Sequence, residues 1–271
     1  MSKWLKFLFF TILLAGAGYF FGTICKQINQ SCQLILSPSI ELLYLLLWLL
    51  AAIGAIVVAA GLVAALLRPL GIGILAFLLS GLAILLGWQV SLDTGVLTLV
   101  YVLAASFYAN SVAKELNERI RFSVRPISEG RSMLMMALIL VTCGGLYLGC
   151  SAHIEREGFE IPETYFNMFM EPMKEQILAQ IPEEERLQAG AKFEEQFQGM
   201  MENFFEETIK PYEQYIPLVI TLGLFFPLQT ITSLVSWLLP VVLSIIFSLL
   251  EALKVTRVVS ETKEVQRLVV D

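Results

Sequence analysis

Five unbroken apolar runs occupy the first 152 residues. They extend from about Trp4 to Ile24, Leu42 to Leu67, Leu70 to Trp88, Gly95 to Val112 and Met133 to Ala152. Each is close to the roughly 20 apolar residues that a helix needs to cross a hydrocarbon core about 30 Å thick. Backbone groups in hydrocarbon must find their partners internally, which admits only helices or closed barrels. The runs are continuous instead of alternating, which selects helices. Small residues recur within them at four-residue spacing: Gly18 and Gly22, Ala51, Ala55 and Ala59, and Gly145 and Gly149. That spacing lets helix backbones approach closely, so these positions are expected to mark helix–helix contacts.

A sixth apolar stretch, Tyr215–Leu250, is too long for one simple span: at 1.5 Å per residue it would reach about 50 Å. Pro217, Pro227 and Pro240 interrupt it. Two readings are open, a single span of about Leu228–Leu250 behind an interfacial or kinked segment, and a tight hairpin of two spans. Charge favours the first. Lys and Arg collect in cytoplasmic loops. Lys3 and Lys6, then Arg68, then Lys114, Arg119, Arg121, Arg125 and Arg131, then Lys254, Arg257, Lys263 and Arg267 all fall on one side if six spans alternate. Both termini are then cytoplasmic, and the Lys26–Ile40 loop, the turn at Asp93 and residues 153–213 are extracytoplasmic. A basic start, an apolar run and Ala15-Gly16-Ala17 would also fit a cleaved signal peptide. Apolar residues continue to Ile24, which favours an uncleaved span.

Residues 153–213 carry fifteen acidic and five basic side chains, against nine and thirteen in the rest of the chain. Two amphipathic helices are expected in this segment. The first covers about Glu163–Ile181, with Phe166, Phe169, Met170 and Met173 on one face. The second begins at Pro182 and carries Phe197, Met200, Met201, Phe204 and Phe205 at helical spacing. Proline suits the first helical position, and Glu183–Glu185 suit the positive end of the helix dipole. Flexible methionines interleaved with phenylalanines read as a candidate docking face for another membrane or extracytoplasmic protein. Mutual burial of the two faces is the plainer alternative.

Composition narrows the chemistry. The chain is 271 residues long, 57% hydrophobic and 15% charged, with mean hydropathy +0.74. A soluble domain is about a quarter charged. There is no basic face for nucleic acid. His153 is the only histidine, so histidine-based metal clusters and Ser-His-Asp catalysis lack their residues. No phosphate-cradling glycine loop follows a strand. Met168, Met170 and Met173 near His153 form too weak a set for a copper site. No cofactor and no enzymatic activity are expected. Cys25 and Cys32 fall in one outer loop and Cys150 at the outer end of the fifth span, where a disulfide can form if the compartment is oxidising.

The remaining polar feature is a stripe on the last span: Gln229, Thr232, Ser233, Ser236, Ser244 and Ser248, with Pro240 between. It reads as a candidate polar intramembrane face, serving either interhelical hydrogen bonds or a solute path. The expected fold is therefore all-α: a polytopic membrane bundle of about six transmembrane helices with an amphipathic helical extracytoplasmic insert. Residues 1–152 hold five spans, 153–213 the acidic insert, 214–253 the last segment and 254–271 an amphipathic cytoplasmic tail. The expected role is a scaffold or protein-interaction subunit of a cell-membrane complex. The alternative is a small-solute or lipid-handling transporter using the polar face of the last span.

Overall fold

A computed structural model describes residues 3–36, 39–67, 70–118, 127, 130–159, 163–178, 182, 186–253 and 255. Among these, 93% are helical and none lies in a strand. The tail helix expected over 254–271 falls outside the described residues, apart from Val255.

Helix α1 (Lys3–Gln30) runs past Ile24 and is followed by the short α2 (Cys32–Leu36). Helix α3 (Ile40–Leu66) starts at Ser39, whose Oγ accepts from the Leu42 N–H at 3.3 Å. This satisfies one of the donors left over at a helix start. Helix α4 (Leu70–Gly87) leads through a short turn into α5 (Leu92–Glu118). There Ser91 and Thr94 cap reciprocally. The Thr94 N–H donates to Ser91 Oγ at 3.2 Å and the Ser91 N–H to Thr94 Oγ1 at 3.1 Å. Helix α6 spans Arg131–Glu157.

Helix α6 is the most enclosed of these, with 67% of its apolar window buried. It packs against α1, α3 and α5. Glycines set the closest approaches. A Cβ on Gly18 would meet Ser80, one on Gly22 would meet the Ile84 carbonyl, and one on Gly87 would meet the Tyr19 carbonyl. The α1 and α4 backbones therefore touch. On α6, Gly145 accommodates the Trp88 indole and Gly149 the Asn29 carbonyl. The alanine row on α3 behaves differently. Ala51 and Ala55 are exposed, and the buried stripe is Ala52, Ile53, Ile56, Val57, Ala60 and Val63. A buried polar pair sits inside the bundle. Ser80 Oγ donates to the Leu14 carbonyl at 3.2 Å and lies 3.1 Å from Tyr101 Oη. A hydroxyl has one proton, so Tyr101 must be the donor to Ser80.

Two opposite ends emerge. Asn29 meets Gly149, Trp88 meets Gly145, and Cys32 is disulfide-bonded to Cys150. At the other end, Ile127 and Leu243 both reach Gly61, and Tyr108 Oη donates to the Ile127 carbonyl at 2.9 Å.

Beyond α6 come α7 (Glu163–Leu178) and α8 (Arg186–Phe204). They pack on each other, with Gly190 beside Lys174 and Leu178. Helix α8 continues through a π-turn (Phe205–Ile209) and a 3-10 turn (Lys210–Tyr215) directly into α9 (Ile216–Val235). Helix α10 (Leu238–Ala252) follows. The break at Ser236–Trp237 falls in the middle of the span expected over Leu228–Leu250, and α9 starts twelve residues earlier than that span. The chain narrows there through i→i−3 bonds. The Ser236 N–H bonds the Ser233 carbonyl and the Leu239 N–H the Ser236 carbonyl, each at 3.3 Å. Pro240 has no N–H to restore the α-helical bond to Ser236. Helix α10 then packs on α3 through Leu243 instead of folding back along α9 as a hairpin.

Candidate functional site

Helix α9 is peripheral. It packs on α6 and leaves Leu218, Val219, Leu222, Phe226 and Leu234 facing outward. The base of the insert fixes its direction. The Phe159 N–H donates to a Glu213 carboxylate oxygen at 2.8 Å, beside Gly158 with φ 76°. The end of α6 and the start of α9 are thereby held together, so the two helices run antiparallel.

Between them lies a cleft of about 480 Å³. Arg131, Ser132, Met135, Met136 and Ile139 line it from α6, and Phe225, Gln229, Thr232, Ser233 and Ser236 from α9. The antiparallel register sorts this lining. The first turn of α6 and the last turns of α9 bring the guanidinium, amide and hydroxyls to one end. Ile139 and Phe225 lie at the other.

The polar stripe read from the sequence is thus divided. Gln229, Thr232, Ser233 and Ser236 share the cleft. Ser244 and Ser248 lie on α10 beyond the break, both exposed, where the Ser248 hydroxyl donates to the Ser244 carbonyl at 2.9 Å. The buried face of α10 is Leu239, Leu243 and Phe247 instead. Most of the hydroxyls satisfy themselves on their own helix, as when Ser236 Oγ donates to the Ser233 carbonyl at 2.7 Å. Thr232 does not. Its side chain is 4% exposed and Oγ1 has no hydrogen-bond partner. Arg131 Nη1 is likewise buried without a partner. A buried polar group left unpaired costs about 1–3 kcal/mol, and here two of them line one cleft.

Arg131 and Ser132 were not separable from a basic loop by sequence pattern alone. The available signal was local. Arg131 opens a helix whose first turn holds no acid and whose N-cap, Gly130, supplies no side-chain bond. A cation at that end opposes the helix dipole.

On the insert, Met173, Met200 and Phe204 are exposed, Met170 and Met201 half-buried, and Phe197 buried and stacked on Phe193. The expected apolar face is therefore split between the α7–α8 contact and the outside. The side chains of Phe166, Phe169 and Phe205 lie outside the described residues, as does that of Met168. His153 sits one turn before Glu157, 3.5 Å from its carboxylate.

Six helices are long and apolar enough to cross a membrane, which points to a multi-pass membrane protein. Compared with known proteins, the chain matches no family model, no curated protein and no solved structure.

Proposed function

We propose that this chain is a multi-pass protein of a cell membrane that handles a lipid or lipid-like solute in the α6–α9 cleft. The carrying observation is the lining: polar groups at one end, Met, Ile and Phe at the other, between a central helix and a peripheral one. Pockets for amphiphiles need that division, with a few placed polar groups fixing orientation and apolar walls supplying contact. A cleft behind a peripheral helix is entered from lipid without opening the bundle core. In this reading both termini and the polar end of the cleft are cytoplasmic and the acidic insert is extracytoplasmic, following the distribution of Lys and Arg.

The test is photolabelling of the reconstituted protein with a diazirine-bearing acyl lipid. Labelled peptides are expected from 131–139 and 225–236, and Ser236→Trp, which fills the cleft, should remove them. Ser244→Trp, on the exposed face of α10, should not. Labelling spread evenly over the outward helix faces and unchanged by Ser236→Trp would refute the proposal.

A second reading, an interaction subunit, is favoured by the outward Met173, Met200 and Phe204 of the insert. It predicts a stoichiometric partner in mild detergent that is lost on Met200→Glu with Phe204→Glu. Both positions are exposed, so these changes leave the bundle intact. Co-purification unaffected by the double change removes this reading.

A further inference from the structure

We propose that the polar end of the α6–α9 cleft holds the anionic headgroup of a lipid, a phosphate or a carboxylate, with Arg131 and Thr232 as its donors. This rests on the cleft being an amphiphile site and adds the charge of the ligand. Three independent features converge. First, Thr232 Oγ1 is buried in the lining without a partner. A hydroxyl in that state costs stability unless something accepts its proton. Second, Arg131 Nη1 is buried without a partner in the same lining. A guanidinium is built for two-point recognition of phosphate or carboxylate. Third, Arg131 and Ser132 form the first turn of α6, where no side chain caps the helix. Free backbone N–H groups and the positive dipole end make such a turn an anion site once side-chain donors accompany it.

A cation in the first turn and an unpaired buried hydroxyl one helix away are each unfavourable alone. An anion between them relieves both. No aspartate or glutamate lines the cleft to play that part internally.

The order of the groups favours a lipid over a free ion. The donors sit at a helix end, the level at which headgroups lie, and Met135, Met136, Ile139 and Phe225 continue the wall towards the bundle interior. The cytoplasmic leaflet, on which the basic loop is expected, is the leaflet where anionic lipids create a negative surface potential.

The experiment measures thermal protection and native-mass-spectrometry retention of the full chain in mild detergent, with phosphatidylglycerol, phosphatidylcholine or inorganic phosphate added. Phosphatidylglycerol is expected to bind about tenfold tighter than phosphatidylcholine, the scale of one charge-assisted hydrogen bond. Arg131→Gln and Thr232→Val should each bring that ratio close to one without weakening phosphatidylcholine binding. Arg131→Lys, which keeps the charge, should preserve part of the preference and shows that the position tolerates substitution. If inorganic phosphate protects as well as phosphatidylglycerol, the ligand is a free anion and the lipid assignment is overturned. If both lipids bind equally and Ser236→Trp abolishes both, the cleft remains an amphiphile site and the anionic headgroup is wrong. If the preference survives in both Gln and Val variants, the anion sits elsewhere. If neither lipid binds, the inference and the amphiphile reading fail together.

Discussion

Gly22 shows how much a single hydrogen atom decides in this bundle. A methyl group there would collide with the Ile84 carbonyl, which is backbone and cannot rotate away. Gly22→Ala must therefore push α1 from α4, and overpacking of this kind costs about 1–3 kcal/mol. Gly16, one and a half turns earlier on the same helix, has open space where its Cβ would stand. Gly16→Ala should be neutral or stabilising by up to about 1 kcal/mol, because alanine is the better helix former. Thermal denaturation of the two variants in one detergent checks the pair; equal shifts would mean that the α1–α4 contact is not as close as described. The Gly18–Gly22 spacing was readable in advance, but the same spacing at Ala51–Ala55 was misleading. A four-residue repeat identifies a stripe, while the direction it faces depends on how the helix is rotated against its neighbours. Arg131 was misread for a related reason. Its charge is visible in sequence, whereas its burial against Thr232's helix comes from a contact made nearly a hundred positions along.

At the scale of elements, local rules placed most helix starts. Ser39 before α3 and the Ser91–Thr94 pair before α5 are short-range hydrogen-bonding devices that need no tertiary help. Ends were less legible. Nothing after Ile24 breaks α1 before Gln30, so Cys25 lies inside the helix and is buried, and the disulfide partner of Cys150 is Cys32. That bond ties α2 to the far end of α6 across 118 positions. Non-reducing digestion should give one peptide pair joining Cys32 and Cys150, with Cys25 and Cys143 alkylated only after denaturation. A pair containing Cys25 would contradict this helix end. Cys32→Ser with Cys150→Ser should lower stability by up to about 4–5 kcal/mol, the chain-entropy scale for a loop of this length. The α9–α10 break also needed the structure. Three prolines offered candidate sites in Tyr215–Leu250. Pro227 lies inside α9 and Pro217 in its first turn, where proline is tolerated, so Pro240 alone ends the run of α-helical bonds.

For the whole molecule, hydropathy by itself determined the class of fold and the number of long apolar helices. Lipid leaves the backbone few choices, and a run of about 20 apolar residues has one inexpensive conformation in it. The acidic character of residues 153–213 and their two amphipathic helices were equally legible, since both are properties of composition and period. Tertiary structure decided what those rules leave degenerate: which glycines touch, which cysteines pair, where the last apolar stretch bends, and which four of six polar positions on it share a cleft with Arg131. Each of these depends on rotation and register between helices distant in sequence. Such contacts are set by close packing and by the pairing of buried polar groups, neither of which has a period along the chain.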